Sequence, residues 1–137
     1  MNPIQITKLD HVVLRVADIE RSIHFYRDIL GCPEKRTSDS LFQYQAGESM
    51  IDLVPIDSEI GQRSGYGPPE TGRNVDHFAL TLGKFDEDAI VAYLEEHGVA
   101  VERSGRRFGA QGYGPSVYFQ DPDGNFVELK GPSEESS

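Results

Sequence analysis

The pattern of apolar and polar positions in this chain occurs twice. Leu9-Asp10-His11-Val12-Val13-Leu14-Arg15-Val16 is echoed by Val75-Asp76-His77-Phe78-Ala79-Leu80-Thr81-Leu82, an offset of 66 residues (77 − 11 = 66). Both runs alternate with a period of two, which predicts strands. In the first, Val12, Leu14 and Val16 share a face opposite His11, Val13 and Arg15. In the second, Phe78, Leu80 and Leu82 oppose His77, Ala79 and Thr81. The bulky apolar face is expected to pack on a helix, which turns the histidine face elsewhere.

A helix follows each strand. Asp18 is placed as the first N-cap, with Ile19, Ile23, Tyr26 and Leu30 at helical spacing and Gly31 as the stop. Asp86, Ile90, Tyr93, Leu94 and Gly98 repeat the arrangement. His24 and His97 belong to these helices and read as surface residues; His97, in a last turn, is also favoured there by the helix dipole when protonated. Short strands come next, near Lys35–Thr37, Leu41–Gln45 and Ser49–Pro55, then near Val99–Arg103, Ser116–Gln120 and Asn125–Lys130. Each half is therefore β-α-β-β-β, joined by the Gly/Pro-rich connection Ile56–Asn74. The second half carries extra residues, assigned to a Gly-rich loop over Gly105–Pro115.

The last two strands frame the most informative stretch, Ser116 to Leu129. Asp121-Pro122-Asp123-Gly124-Asn125 reads as the turn of a hairpin, with Pro122 fixing one φ and Gly124 supplying a positive one. The outgoing strand alternates Phe126 and Glu128 against Val127 and Leu129, so Glu128 is an acid in mid-strand. Met50-Ile51-Asp52-Leu53 mirrors it in the first half, with Asp52 in the place of Glu128.

Composition narrows the class of protein. A chain of 137 residues supports one domain with a real core, and 37% hydrophobic with 26% charged residues suits a soluble globular protein. The formal net charge of −10 disfavours nucleic acid and anionic membranes as partners. The single cysteine, Cys32, cannot form an intrachain disulfide and reads as a buried, inert thiol. MNPIQITKLDH contains no long apolar run, so neither a signal peptide nor a membrane span is expected and a cytoplasmic protein is the default. A disordered tail is expected over about 132–137.

Candidate chemistry follows from the faces. His11, Asp52, His77 and Glu128 all lie opposite the bulky apolar face of their strands. Two curved sheets could turn them into one cleft. Two imidazoles with one or two carboxylates suit a divalent transition metal with open coordination positions, and suit calcium less, because calcium prefers all-oxygen shells. A plainer reading pairs His11 with Asp10 and His77 with Asp76 near the strand starts. The loop Gly105–Pro115, with Arg106, Arg107 and Tyr113, either closes over an anionic substrate or is a mobile surface loop. Phe42, Tyr44 and Tyr118 line the pocket or the core.

His11, the helix end Phe25-Tyr26-Arg27-Asp28-Ile29-Leu30-Gly31, His77, and Asp121-Pro122-Asp123-Gly124-Asn125 with Glu128 together resemble the vicinal oxygen chelate superfamily. Its members include glyoxalase I, fosfomycin-resistance thiol transferases, extradiol dioxygenases and bleomycin-binding proteins. The resemblance spans roughly Ile6 to Gly131. It implies an α+β, glyoxalase-like fold in a single domain over 1–137, with module one at about 6–55 and module two at about 73–131. The two paired βαβββ modules would have curved mixed sheets forming a metal-binding cleft.

The resemblance also implies site residues. His11, His77 and Glu128 fall on family metal ligands. Asp52 falls where glyoxalase I has a ligand glutamate; being one methylene shorter, it binds through water, acts as a base, or does neither. Glu128 or Asp52 is the candidate proton carrier. Arg15 resembles a glutathione-contacting arginine, or is generic family sequence; Arg107, Tyr113 and Tyr118 complete the candidate substrate-binding set. Ile56 stands where glyoxalase I often has an asparagine, and the fosfomycin enzymes' arginine beyond the last ligand is absent. The implied cofactor is a divalent ion (Ni, Co, Zn, Mn or Fe), with glutathione as a candidate co-substrate. The implied activity is a glyoxalase I-like lyase or isomerase acting on a small oxygen-chelating substrate, in a homodimer. The alternatives are a non-haem Fe(II) extradiol-type dioxygenase and a non-catalytic drug-binding resistance protein. Bleomycin-binding relatives typically lack the metal ligands, which this chain keeps.

Overall fold

A computed structural model describes residues 2, 3, 5–63 and 75–134. Two compact units divide the chain, residues 1–68 and 69–137, and each contains one four-stranded mixed sheet.

In the first unit, β1 (His11–Val16) leads into α1 (Ile19–Ile23), which continues as a π-helical stretch, His24–Ile29. Asp18 caps α1 by accepting from the Arg21 N–H, as expected of a short acidic side chain at a helix start. Gly31, at φ +83°, ends the helical segment, and the Cys32 N–H reaches back to the Tyr26 carbonyl. Then come β2 (Glu34–Thr37), β3 (Phe42–Ala46), β4 (Ser49–Pro55) and the short α2 (Glu59–Gln62). Sheet order is β1-β4-β3-β2, with β1 parallel to β4 and the other pairs antiparallel. Val16, Tyr26, Tyr44, Ile51 and Leu53 are buried on the helix side, and α1 packs against β4.

The second unit repeats this plan. β5 (His77–Thr81) precedes α3 (Glu87–Glu96), capped by Asp86 accepting from the Ala89 N–H. Beyond the helix, Gly98 at φ +79° lets Val99 donate to the Leu94 carbonyl. β6 (Arg103–Gly109), β7 (Gly112–Gln120) and β8 (Phe126–Lys130) give the order β5-β8-β7-β6, again with one parallel pair, β5 with β8. Leu94, Val117, Phe119, Val127 and Leu129 are its buried apolar residues.

Two expectations are corrected in this unit. The strand expected over Val99–Arg103 begins at Arg103 and runs on to Gly109. The region read as a loop, Gly105–Pro115, is a β-hairpin that turns at Ala110 and Gln111. Glycine-rich composition suggested a loop, but β6 and β7 pair through seven registered positions, which satisfies their backbone groups.

The tail expected from 132 is held as far as Glu134. Its N–H donates to the Tyr113 carbonyl, and its carboxylate takes the Arg106 guanidinium at 2.6 Å. Residues 135–137, and most of the expected connection Ile56–Asn74, lie outside the described residues. Among the described residues no helix is long and apolar enough to cross a membrane.

Candidate metal centre

Parallel pairing of the first and last strands is what brings an imidazole toward a carboxylate in each unit. In the second unit β5 runs beside β8, with Ala79 opposite Glu128, so His77 sits diagonally across from that acid. The His77 Nε2 lies 3.1 Å from Glu128 Oε1, and its Nδ1 lies 2.8 Å from Asp76 Oδ2. A neutral imidazole carries one N–H, so it can donate to only one of these carboxylates at a time. Both contacts are satisfied together by an imidazolium, or by a cation seated between Nε2 and Glu128.

Glu128 itself is 5% exposed. Its Oε2 accepts from Ser116 Oγ at 2.6 Å, and the Tyr118 hydroxyl bonds to the same carboxylate. Tyr118 stands opposite Glu128 in the β7–β8 register and meets the His77 ring edge-on, with centroids 5.3 Å apart. Burial, then the neighbouring Glu128, raises its phenol above the ordinary value of 10.0. The Arg103 guanidinium lies 4.6 Å from the centre of the same ring and Arg107 5.6 Å from it, so two cations border the Tyr118 ring.

The first unit places a histidine and a shorter acid, Asp52, at the matching register positions. His11 Nδ1 lies 2.7 Å from Asp10 Oδ2. This bond chiefly raises the His11 imidazole above its ordinary 6.5, and the charge of Asp52 adds to the rise. Asp52 is 2% exposed, opposite Val13 on one side and Gln43 on the other. Its Oδ2 accepts from Gln43 Nε2 at 3.0 Å, and Gln43 Oε1 accepts from Arg36 Nε at 3.0 Å. Oδ1 is buried and, among the described residues, has no hydrogen-bond partner.

The register rows make the duplication explicit. Arg36, Gln43 and Asp52 align across β2, β3 and β4 as Arg103, Tyr118 and Glu128 align across β6, β7 and β8. The sequence model of the Glyoxalase/Bleomycin resistance protein/Dioxygenase superfamily matches residues 8–129 of this chain. The chain belongs to this superfamily.

Its relatives within the superfamily are diverse. A lactoylglutathione lyase from Haemophilus influenzae is 33% identical over 133 residues, covering 87% of this chain and 88% of that protein. The glutathione transferase FosA of Serratia marcescens is 27% identical over 121 residues, with 88% and 78% covered. Among solved structures, the integron cassette protein VCH_CASS1 from the mobile metagenome of V. cholerae is 30% identical, with a TM-score of 0.72 over 95% of this chain and 98% of that one. These likenesses carry the superfamily's α+β fold and leave its particular chemistry to be argued from residues.

The residues present suit a divalent ion. Each histidine keeps Nε2 for a ligand role because the preceding aspartate engages Nδ1, the usual way a protein orients a metal-binding imidazole. The buried, unpartnered Asp52 Oδ1 is an oxygen in want of a proton or a cation. The pairing with Asp10 and Asp76, read from sequence as an alternative to metal binding, is present in both units and is compatible with a metal on Nε2. Among the described residues no group of three His, Cys, Asp or Glu side chains forms a set able to hold an ion. Each unit supplies one imidazole and one acid.

The expected substrate-binding residues separate. Arg107 and Tyr118 occupy the Glu128 face of their strands, Arg107 through its register with Gly114. Tyr113 lies on the opposite face of β7, where Arg106 stacks on it at 4.0 Å and Phe108 meets it edge-on. Alternation along a strand moves it away from Glu128, so Tyr113 leaves the candidate set. Arg15 donates to the Gly61 carbonyl through Nε and Nη2, at 3.1 and 2.9 Å, which ties its guanidinium to α2. Ser116 and Gln43, which bond the carboxylates, and Arg36 and Arg103, which meet Gln43 and Tyr118, were missed from sequence. Hairpin register, counted outward from the Asp121–Asn125 turn, would have placed Tyr118 opposite Glu128 and Ser116 two residues away on the same face.

Proposed function

We propose that this chain is a divalent-metal-dependent enzyme of the glyoxalase type, a lyase or isomerase acting on a small substrate with neighbouring oxygens. The observation that supports it best is the contact of His77 Nε2 with Glu128 Oε1 at 3.1 Å, on an imidazole already anchored by Asp76. His11, His77 and Glu128 are the proposed ligands. The bound ion would act as a Lewis acid on a substrate oxygen.

Asp52 is the proposed proton carrier. Its Oδ2 is occupied by Gln43, which leaves Oδ1 to take a proton from a substrate carbon and return it to the neighbouring carbon. Ser116 fixes one oxygen of Glu128 and so sets the direction of the other. Arg103 and Arg107 supply positive charge for an anionic substrate. A homodimer in the cytoplasm completes the proposal.

The test joins elemental analysis to an assay. Purified protein is expected to hold nickel, cobalt or zinc, and to convert the hemithioacetal of methylglyoxal and glutathione after reloading. Asp52→Asn should lower kcat by about 10²-fold or more with metal content unchanged. Bound iron with oxygen-dependent cleavage of a catechol would replace this reading by a dioxygenase. Absence of turnover with every divalent ion would reject the isomerase.

A further inference from the structure

We infer a second binding element in the second unit, an oxyanion site built on Lys130. Lys130 follows Glu128 by two residues on β8, so both side chains leave the same face of the sheet, about 7 Å apart. Lys130 is 9% exposed. Its Nζ donates to the Gly112 carbonyl at 3.1 Å, and among the described residues it makes no ion pair. An ammonium has three N–H donors, and removing it from water with a single carbonyl partner is unfavourable unless an anion joins it.

The surroundings are shaped for this side chain. A Cβ at Gly109 would fall 2.6 Å from Lys130 Cε and 2.9 Å from Cδ. At Gly114 it would fall 2.7 Å from the Pro132 carbonyl oxygen and 2.9 Å from Nζ. The facing hairpin therefore carries glycine where the lysine stem and head pass. Lys130 borders a cavity of about 380 Å³, with Thr81, Gln111 and Ser133 in its wall. Thr81 lies opposite Lys130 in the β5–β8 register and shares the face of His77, so the cavity continues the face that carries the candidate metal ligands.

The occupant that fits is a carboxylate or phosphate group on a small molecule. Lys130 would meet its charge and the hydroxyl and amide groups of the wall would complete its hydrogen bonds. If the metal-dependent reaction proposed above is right, Lys130 holds an anionic group remote from Glu128, because its Nζ reaches along the sheet to Gly112. The anion site does not itself depend on that reaction.

Isothermal titration of the full chain, with a metal chelator present throughout, separates the two. Inorganic phosphate and succinate are the probes, and the one that saturates identifies the class of oxyanion. We expect one anion per chain, binding about tenfold or more weaker in Lys130→Met and nearly unchanged in Lys130→Arg. Gly109→Ala, whose added carbon meets the Lys130 stem first, should also weaken binding while the sheet stays folded by circular dichroism. His77→Ala should bind the anion as the parent does, even though the metal proposal requires it to lose its ion. Failure of both probes to saturate, or parental affinity in Lys130→Met and Gly109→Ala, would overturn the site. Loss of binding in His77→Ala would overturn it too, by placing the anion on the imidazole.

Discussion

His11 shows how a sequence neighbour sets the chemistry of a side chain. Its hydrogen bond to Asp10 lifts the imidazole above 6.5, outweighing the opposing effect of burial. A group whose folded value is raised contributes stability that is full below 6.5 and fades as pH rises through the raised midpoint. Asp10→Asn should therefore move the His11 midpoint down, read from its ring resonances in an NMR titration. A midpoint that stays in place would remove Asp10 as the cause. Ser116 makes a second residue-scale case. Its hydroxyl is the donor to a nearly buried Glu128 oxygen at 2.6 Å. Ser116→Ala should cost about 1–3 kcal/mol in urea unfolding, because the oxygen loses its partner without gaining water. A change within experimental error would mean that water replaces the hydroxyl.

At the scale of elements, the β7–β8 turn is specified by two residues. Asp121 Oδ1 accepts from the N–H groups of Asp123 and Asn125, and Oδ2 from the Asn125 side chain. Gly124 adopts φ +83°, which a residue with a Cβ takes only under strain. Gly124→Ala should lower stability by about 1–2 kcal/mol, with the largest gain in amide exchange at Phe126–Lys130. Unchanged exchange there would show that the turn does not hold the register. This element was legible in the sequence because Asp-Pro-Asp-Gly-Asn writes its turn chemistry locally, as the aspartate and glycine signals did for both helices. The β6–β7 hairpin was not legible. Gly105, Gly109 and Gly114 weaken strand propensity, and their surroundings lie in tertiary space: a Cβ would meet Arg107 at Gly105, Lys130 at Gly109, and the Pro132 carbonyl before Lys130 at Gly114. The Arg36–Gln43–Asp52 chain was hidden for a similar reason, since a bulge between Glu34 and Arg36 shifts the β2–β3 register by an amount no alternation reveals.

For the whole molecule, a chain of two repeated units carries a formal net charge of −10, a field that attracts cations. An ion bound only by the folded chain should stabilise it by about 2.7 kcal/mol at a free concentration one hundredfold above Kd. Thermal melts with and without chelator measure this, and a midpoint indifferent to every divalent ion would argue against a bound metal. The strand order has a further consequence, for the sequence of events during folding. The β3–β4 and β7–β8 pairs join neighbours in the chain, whereas β1 and β5 must wait for roughly forty intervening residues before they can lie beside their partners. Pulse-labelled refolding should protect Phe126–Lys130 before His77–Thr81. On refolding, each acid would then take its place in the sheet before the imidazole that faces it, although synthesis makes the histidine first.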